Sequence, residues 1–286
     1  MTTKKFAFIT DSTAYLSEEL KNHPDLYVIP MIITFGNEVY EDGIDLNTEQ
    51  LYERINSSAE IPKTSQPSVG KFVELFDQLK EKGYDGAVAI HVTSKLSGTL
   101  NSCIQGSKMA NFPVYAIDSL AMSYEMTVLL EKAIAYANKG LSRDEVGKLV
   151  ESEVYKGENY FMPGKLDQFY KGGRMSGTAY YLGSLLNILP ILHCNEAGEF
   201  APLEKVRTEK KAYRRLVEFL EKAKEKSTVN TVGIMHGNAP DKAKELGSMI
   251  LEKYPTIEII YGEISSTIAA HAGEGTMSIL WANEPK

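Results

Sequence analysis

Short apolar runs alternate with amphipathic stretches through the first half of the chain. Phe6-Ala7-Phe8-Ile9 reads as a buried strand ending in Thr10-Asp11-Ser12-Thr13, a polar cluster suited to capping a following helix. Residues 26–35 read as a second apolar strand, and Asn47 with Gln50 makes a capping-box pattern for a short helix. Behind Ser68, the residues Val69, Phe72, Val73, Phe76 and Leu79 recur at helical spacing. Ala87-Val88-Ala89-Ile90 and residues 114–117 predict further strands. Residues 100–109 and 126–137 predict helices, and Ser142 with Glu145 caps another. This alternation predicts an α/β fold whose N-terminal part is a mainly parallel sheet covered on both faces.

The pattern changes near Gly157, which sets the expected boundary between an N-terminal α/β domain (1–157) and a C-terminal mixed α/β domain with antiparallel strands (158–286). Phe161-Met162-Pro163 predicts a short strand, Lys171-Gly172-Gly173-Arg174 a break, and residues 179–189 an apolar, helix-like run. Residues 191–206, centred on Asn195-Glu196-Ala197-Gly198, predict a hairpin. A charged helix (208–226), a strand (232–235), a helix (241–254) and strands at 257–261 and 277–281 complete the chain.

The chain has 286 residues, 43% of them hydrophobic and 24% charged, which describes a soluble globular protein with room for two modest domains. A net charge of −7 argues against a surface built mainly for nucleic acid. Cys103 and Cys194 stand far apart without zinc or redox spacing, and free thiols fit a reducing cytoplasm. His23, His91, His193 and His236 lack metal-ligand spacing, so neither metal nor cofactor is expected. Asp11 and Asp118, at expected strand ends, are read as caps rather than cation ligands. The apolar run after Lys4 and Lys5 is too short for a signal-peptide core, and no segment reaches the roughly 20 apolar residues of a membrane span.

Two hydroxyl-rich segments precede expected helices: Thr64-Ser65-Gln66-Pro67-Ser68, and Ser94-Lys95-Leu96-Ser97-Gly98-Thr99. A helix start offers unpaired N–H groups and partial positive charge, so hydroxyls beside it make an anion receptor. Neither segment has P-loop spacing, which favours a single carboxylate over a nucleotide triphosphate. Thr64 and Ser97 are the leading anion donors; Ser68, Ser97 and Thr99 serve equally as ordinary helix caps. Gly98 either lets the main chain approach a ligand or simply permits a turn. Arg174 sits on a glycine turn, from which it can grip an anion or merely face solvent. The apolar run at 179–189 fits both a ligand tunnel and a core helix. Lys205, Arg207, Lys210, Lys211, Arg214 and Arg215 form a basic cluster, read first as a solvated face paired with Glu209, Glu218 and Glu221.

The succession of Ile9-Thr10-Asp11-Ser12-Thr13, Thr64-Ser65-Gln66-Pro67-Ser68, Lys95-Leu96-Ser97-Gly98-Thr99, Asp118-Ser119, Lys171-Gly172-Gly173-Arg174, Pro190-Ile191-Leu192, Lys205-Val206-Arg207 and His271-Ala272-Gly273-Glu274-Gly275 resembles the DegV family of bacterial fatty-acid-binding proteins from first strand to last. The resemblance implies a two-domain protein holding one long-chain fatty acid, its carboxylate near the interdomain cleft and its tail inside. It assigns Thr64, Ser97, the Gly98 N–H, Arg174 and His271 to the carboxylate. It also implies a separate ATP-dependent fatty acid kinase subunit as partner, forming an acyl phosphate for phospholipid synthesis. On that reading Arg207 and Arg214 become a docking patch for the kinase or for transient membrane contact. Leu189, where the family often has lysine, and Thr208, where glycine is common, depart from the pattern. Two rivals stand beside it: a hydrolase or acyltransferase using Ser97 and His271, against which the missing Gly-x-Ser-x-Gly elbow counts, and a lipid-sensing regulator.

Overall fold

The structure is a computed structural model and describes residues 5–58, 61–174 and 188–286. Four parallel strands build the first sheet: β1 (Phe6–Asp11), β2 (Leu26–Ile29), β6 (Gly86–His91) and β7 (Val114–Asp118), in the order β2-β1-β6-β7. Alternation along β1 and β6 sends side chains to both faces. Ala7, Ile9, Ala87 and Ala89 pack under helices α3 (Val69–Glu81) and α4 (Thr99–Ala110), around Phe72, Phe76 and Leu79. Phe8, Val88 and Ile90 join the opposite core with Leu129 and Leu130 of α5 (Tyr124–Asn138) and Val146 and Val150 of α6 (Arg143–Glu153). The strand order reverses between β1 and β6, and open α/β sheets bind ligands at the carboxyl ends of strands beside such a switch.

Residues 26–35 do not form one strand. They divide into β2 and β3 (Ile32–Phe35), which lie in different sheets, with Pro30 between them. A proline removes a ladder donor, so a continuous strand is broken there. β3 pairs antiparallel with β4 (Glu38–Glu41) and β5 (Lys63–Ser65) in a small three-stranded sheet whose outer strands carry weak apolar patterns. Both capping boxes form: Asn47 and Gln50 exchange bonds of 2.9 and 3.0 Å before α2 (Thr48–Ser58), and Ser142 and Glu145 do so before α6. The Thr10–Thr13 cluster caps no helix; Ser17 caps the next one, α1 (Glu18–Lys21). Asp118 likewise accepts from the Ser94 and Leu120 N–H groups in a loop.

The second sheet has six strands in the order β10-β9-β8-β13-β11-β12, comprising β8 (Gly157–Met162), β9 (Leu189–Cys194), β10 (Phe200–Val206), β11 (Thr231–His236), β12 (Glu258–Glu263) and β13 (Met277–Ala282). All its pairings are antiparallel except β11 with β12. One face buries Met162, Met277, Ile279 and Trp281 against α8 (Glu209–Lys226) and α9 (Pro240–Lys253). The other turns Phe161, Leu192 and Leu280 toward the first sheet and shares its core. The β9–β10 hairpin forms as its turn residues predict, and its tip docks on the first sheet: Thr93 donates to the Gly198 carbonyl (3.0 Å) and the Cys194 thiol to that of Leu120 (3.2 Å). The apolar run at 179–187 lies outside the described residues.

Candidate functional site

Thr64 stands opposite Ile33 in the β3–β5 ladder and shares its inward face, because directly paired residues project to the same side. Across from it lies a short helix that the sequence pattern missed, α10 (Ser266–Ala272), capped by Ser265 and closed by Gly273 at φ +80°. It carries His271, whose Nε2 lies 2.6 Å from Thr64 Oγ1. The imidazole Nδ1 is buried and has no hydrogen-bond partner among the described residues. Burial first, then the nearby Arg174 guanidinium, pushes the imidazole down from 6.5 to about 4, so the ring is neutral near pH 7.

Arg174 arrives through helix α7 (Leu166–Lys171), which Gln168 pins to α10 by bonds to the Ala269 and Ala270 carbonyls (3.1 and 2.6 Å). Gly172 then passes directly against His271: a Cβ there would lie 2.5 Å from Nδ1. Gly172→Ala should therefore displace the imidazole and weaken anion binding about tenfold, the equivalent of about 1.4 kcal/mol. Titration calorimetry with a fatty acid measures this; undiminished affinity would show that His271 takes no part in holding the head group.

Ser97 lies between β6 and α4, and its Oγ is 2.8 Å from Thr99 Oγ1, which in turn donates to Met31 Sδ (3.3 Å). Neither hydroxyl is spent on capping: the N-cap residue of α4 is Gly98, without a side-chain cap. Ser68 does cap α3, accepting from Lys71 N at 3.2 Å. Gly98 does not line the cavity described next; the Gln66 carboxamide rests where its side chain would be, with Nε2 2.9 Å from an added Cβ. That contact brings the two hydroxyl segments together.

Thr64, Ser97, Arg174 and His271 all line one cavity, whose empty space, open mouth included, is about 810 Å³. Its walls come from both large sheets and the helices between them: Met31, Leu96 and Met122 on one side, Phe161, Ile264, Ile268 and Leu280 on the other. A triangle of Phe161, Phe169 and Phe200, with ring centroids 4.7 to 5.8 Å apart, forms an aromatic wall. A few convergent polar groups on a largely apolar chamber make a receptor for an amphiphile with an anionic end.

Residues 5–284 match the family described as "Uncharacterised protein, DegV family". The chain belongs to the DegV family. A DegV domain-containing protein of Listeria innocua is 34% identical over 284 residues, covering 98% of this chain and 99% of that one. The solved structure of a fatty acid binding DegV family protein from Streptococcus agalactiae superposes with a TM-score of 0.91 at 31% identity, covering 99% of each chain. The Streptococcus pneumoniae fatty acid kinase (Fak) B3 protein loaded with linoleic acid has the same fold, with a TM-score of 0.85 at 24% identity over 98% of this chain and all of that one.

Of the residues that the sequence singled out, Thr64, Ser97, Arg174 and His271 line the cavity and Gly98 does not; the apolar walls come from many short elements that share no motif. Arg207 and Arg214 lie elsewhere, exposed at the start of α8 and outside the cavity lining. Of their basic cluster, Arg215 is ion-paired with Glu204 and Glu218, while Glu209 and Glu221 pair with Lys242 and Lys253 instead of cluster members. Thr208, where the family commonly has glycine, caps α8 by accepting from Lys211 N (3.3 Å). No described helix is long and apolar enough to cross a membrane.

Proposed function

We propose that this chain binds one long-chain fatty acid between units formed by residues 1–157 and 158–286 and presents its carboxylate to a separate ATP-dependent kinase subunit. Thr64, Ser97, Arg174 and His271 hold the carboxylate, without the Gly98 N–H, and the acyl chain lies along the apolar walls. The observation that carries this reading is the cluster of donors at one site of an otherwise greasy cavity, with the Arg174 guanidinium its permanent positive charge. A neutral imidazole donates one N–H to the anion, and the anion in turn favours protonation of the ring. The relatives' fatty acid binding supports the ligand class, and the Fak B3 likeness motivates the kinase.

A serine hydrolase fits the geometry less well. The described partner of Ser97 is Thr99, that of His271 Nε2 is Thr64, and among the described residues no carboxylate orients His271 Nδ1 as a triad requires. Mass spectrometry of lipid extracted from the purified protein tests the ligand class. Addition of kinase subunit and ATP tests presentation through acyl phosphate formation; ester hydrolysis without the partner would establish the rival. Arg207→Glu with Arg214→Glu should lower kinase turnover about tenfold or more while fatty acid affinity holds, because these exposed charges act in encounter rather than in the cavity. Unchanged turnover would remove them from the docking surface.

A further inference from the structure

Three buried residues that line the cavity, Asn159, Ser123 and Thr267, carry a side-chain oxygen with no hydrogen-bond partner among the described residues, and the first two lie outside the α10 helix that holds His271. Asn159 on β8 stands opposite Leu280, and the same face of that ladder presents Phe161 and Ser278, so all four meet the cavity. The Asn159 Nδ2 donates to Glu125 Oε2 (3.1 Å), while its Oδ1 is buried without a partner among the described residues. The residue is 5% exposed. Burial raises the Glu125 carboxyl to about 8, so the carboxamide leans on a group that is mostly a neutral acid at pH 7.

Ser123 is the second group. It is 4% exposed, lines the same cavity, and has an Oγ without a partner among the described residues. It occupies the N-cap position of α5, where a serine ordinarily bonds the helix backbone, yet it makes no such bond. Its φ of +56° is an uncommon backbone state for a residue with a side chain. Ser123 lies two residues from Glu125, which holds Asn159, and both Ser123 and Asn159 line the same cavity. Neither bonds to Thr64, Ser97 or His271. A plain hydrocarbon tail would leave both oxygens without hydrogen bonds, an arrangement native proteins generally avoid.

Building on the fatty acid reading above, we propose that the preferred ligand is a hydroxylated long-chain fatty acid, whose mid-chain hydroxyl donates to Asn159 Oδ1 and pairs with Ser123 Oγ. An amide oxygen only accepts, so the complementary group carries an O–H; a keto group would not satisfy it. The hydroxyl would thus select among fatty acids at a point separate from the carboxylate.

The test compares stearic acid with a panel of monohydroxystearic acids differing in hydroxyl position, each titrated into delipidated protein. At least one isomer should bind about tenfold more tightly than stearic acid, as one satisfied buried hydrogen bond allows. That ratio should fall toward unity in Asn159→Leu and in Ser123→Gly. The glycine variant is the safer of the two, since it relieves the positive φ and leaves the Glu125 bond in place. A wild-type ratio of one for every isomer would overturn the proposal, as would a preference that survives in folded Ser123→Gly and Asn159→Leu proteins. Ordered water on Asn159 in a stearate complex, together with a ratio of one, would identify what satisfies the wall instead. Failure of wild-type protein to bind stearic acid or any isomer would overturn the fatty acid reading itself, and this proposal with it.

Discussion

Replacing Thr64 and Ser97 together by alanine should weaken fatty acid binding about a hundredfold, with the fold intact. Both hydroxyls line the cavity, and on the proposed reading each donates to a carboxylate oxygen. Hydrogen bonds to a charged group contribute about 1.5–3 kcal/mol each, so losing two costs at least a hundredfold in affinity. Thr64→Ala also deprives His271 Nε2 of its 2.6 Å partner in a ring whose Nδ1 already has none. The half-buried imidazole then has less to fix its orientation, and the loss at Thr64 should exceed that at Ser97. Ser68→Ala is the informative control: it removes the cap of α3 at a cost of about 1 kcal/mol in stability, and Ser68 is not part of the cavity lining. Titration calorimetry and urea unfolding on all the variants separate the two effects. If the double variant binds as wild type does, the carboxylate does not sit between the two hydroxyl segments.

Many strands and helices are legible because each is a periodic run with its own boundary signal, such as Ser68 before α3 in the first unit or Asn195 to Gly198 between β9 and β10 in the second sheet. What was not legible has a physical cause in each instance. α10 spans seven residues, too few for a periodic signal, and only the resemblance singled out His271 before the fold placed it. β5 has three residues, and its Thr64 faces inward because of its pairing with β3, a long-range fact. The Thr10–Thr13 cluster has the composition of a cap yet is recruited by tertiary contacts: Asp11 accepts from Thr13, His91 and Val92 across the sheet. Local polarity says that a group needs partners, and only the fold says which.

His91→Ala should destabilise the protein by about 3–5 kcal/mol, the usual cost of removing one partner from a buried ion pair. Asp11 and His91 are both fully buried at the ends of adjacent strands, with Oδ2 3.0 Å from the imidazole Nδ1 and 3.0 Å from Val92 N. Burial depresses the imidazole, but the bond to Asp11 and the proximity of Cys103 outweigh it and lift the ring from 6.5 to about 9. Burial likewise opposes charge on Asp11, and the His91, Thr13 and Val92 bonds more than compensate, so its carboxyl lies below 3.8.

The sign of the pH dependence follows from these two directions. For His91 the folded state binds the proton more tightly, so its contribution is complete below pH 6.5 and lost as pH climbs through about 9. For Asp11 the contribution is complete above 3.8 and lost as pH falls through its depressed folded value. The stability difference between wild type and His91→Ala, measured by urea unfolding, should therefore plateau between about pH 4 and 6.5 and shrink toward pH 9. A difference that stays constant to pH 10 or beyond would mean that His91 is held as a neutral ring. Because Thr13 and Val92, the residues that bond to Asp11, also line the cavity, fatty acid affinity in His91→Ala should fall along with stability.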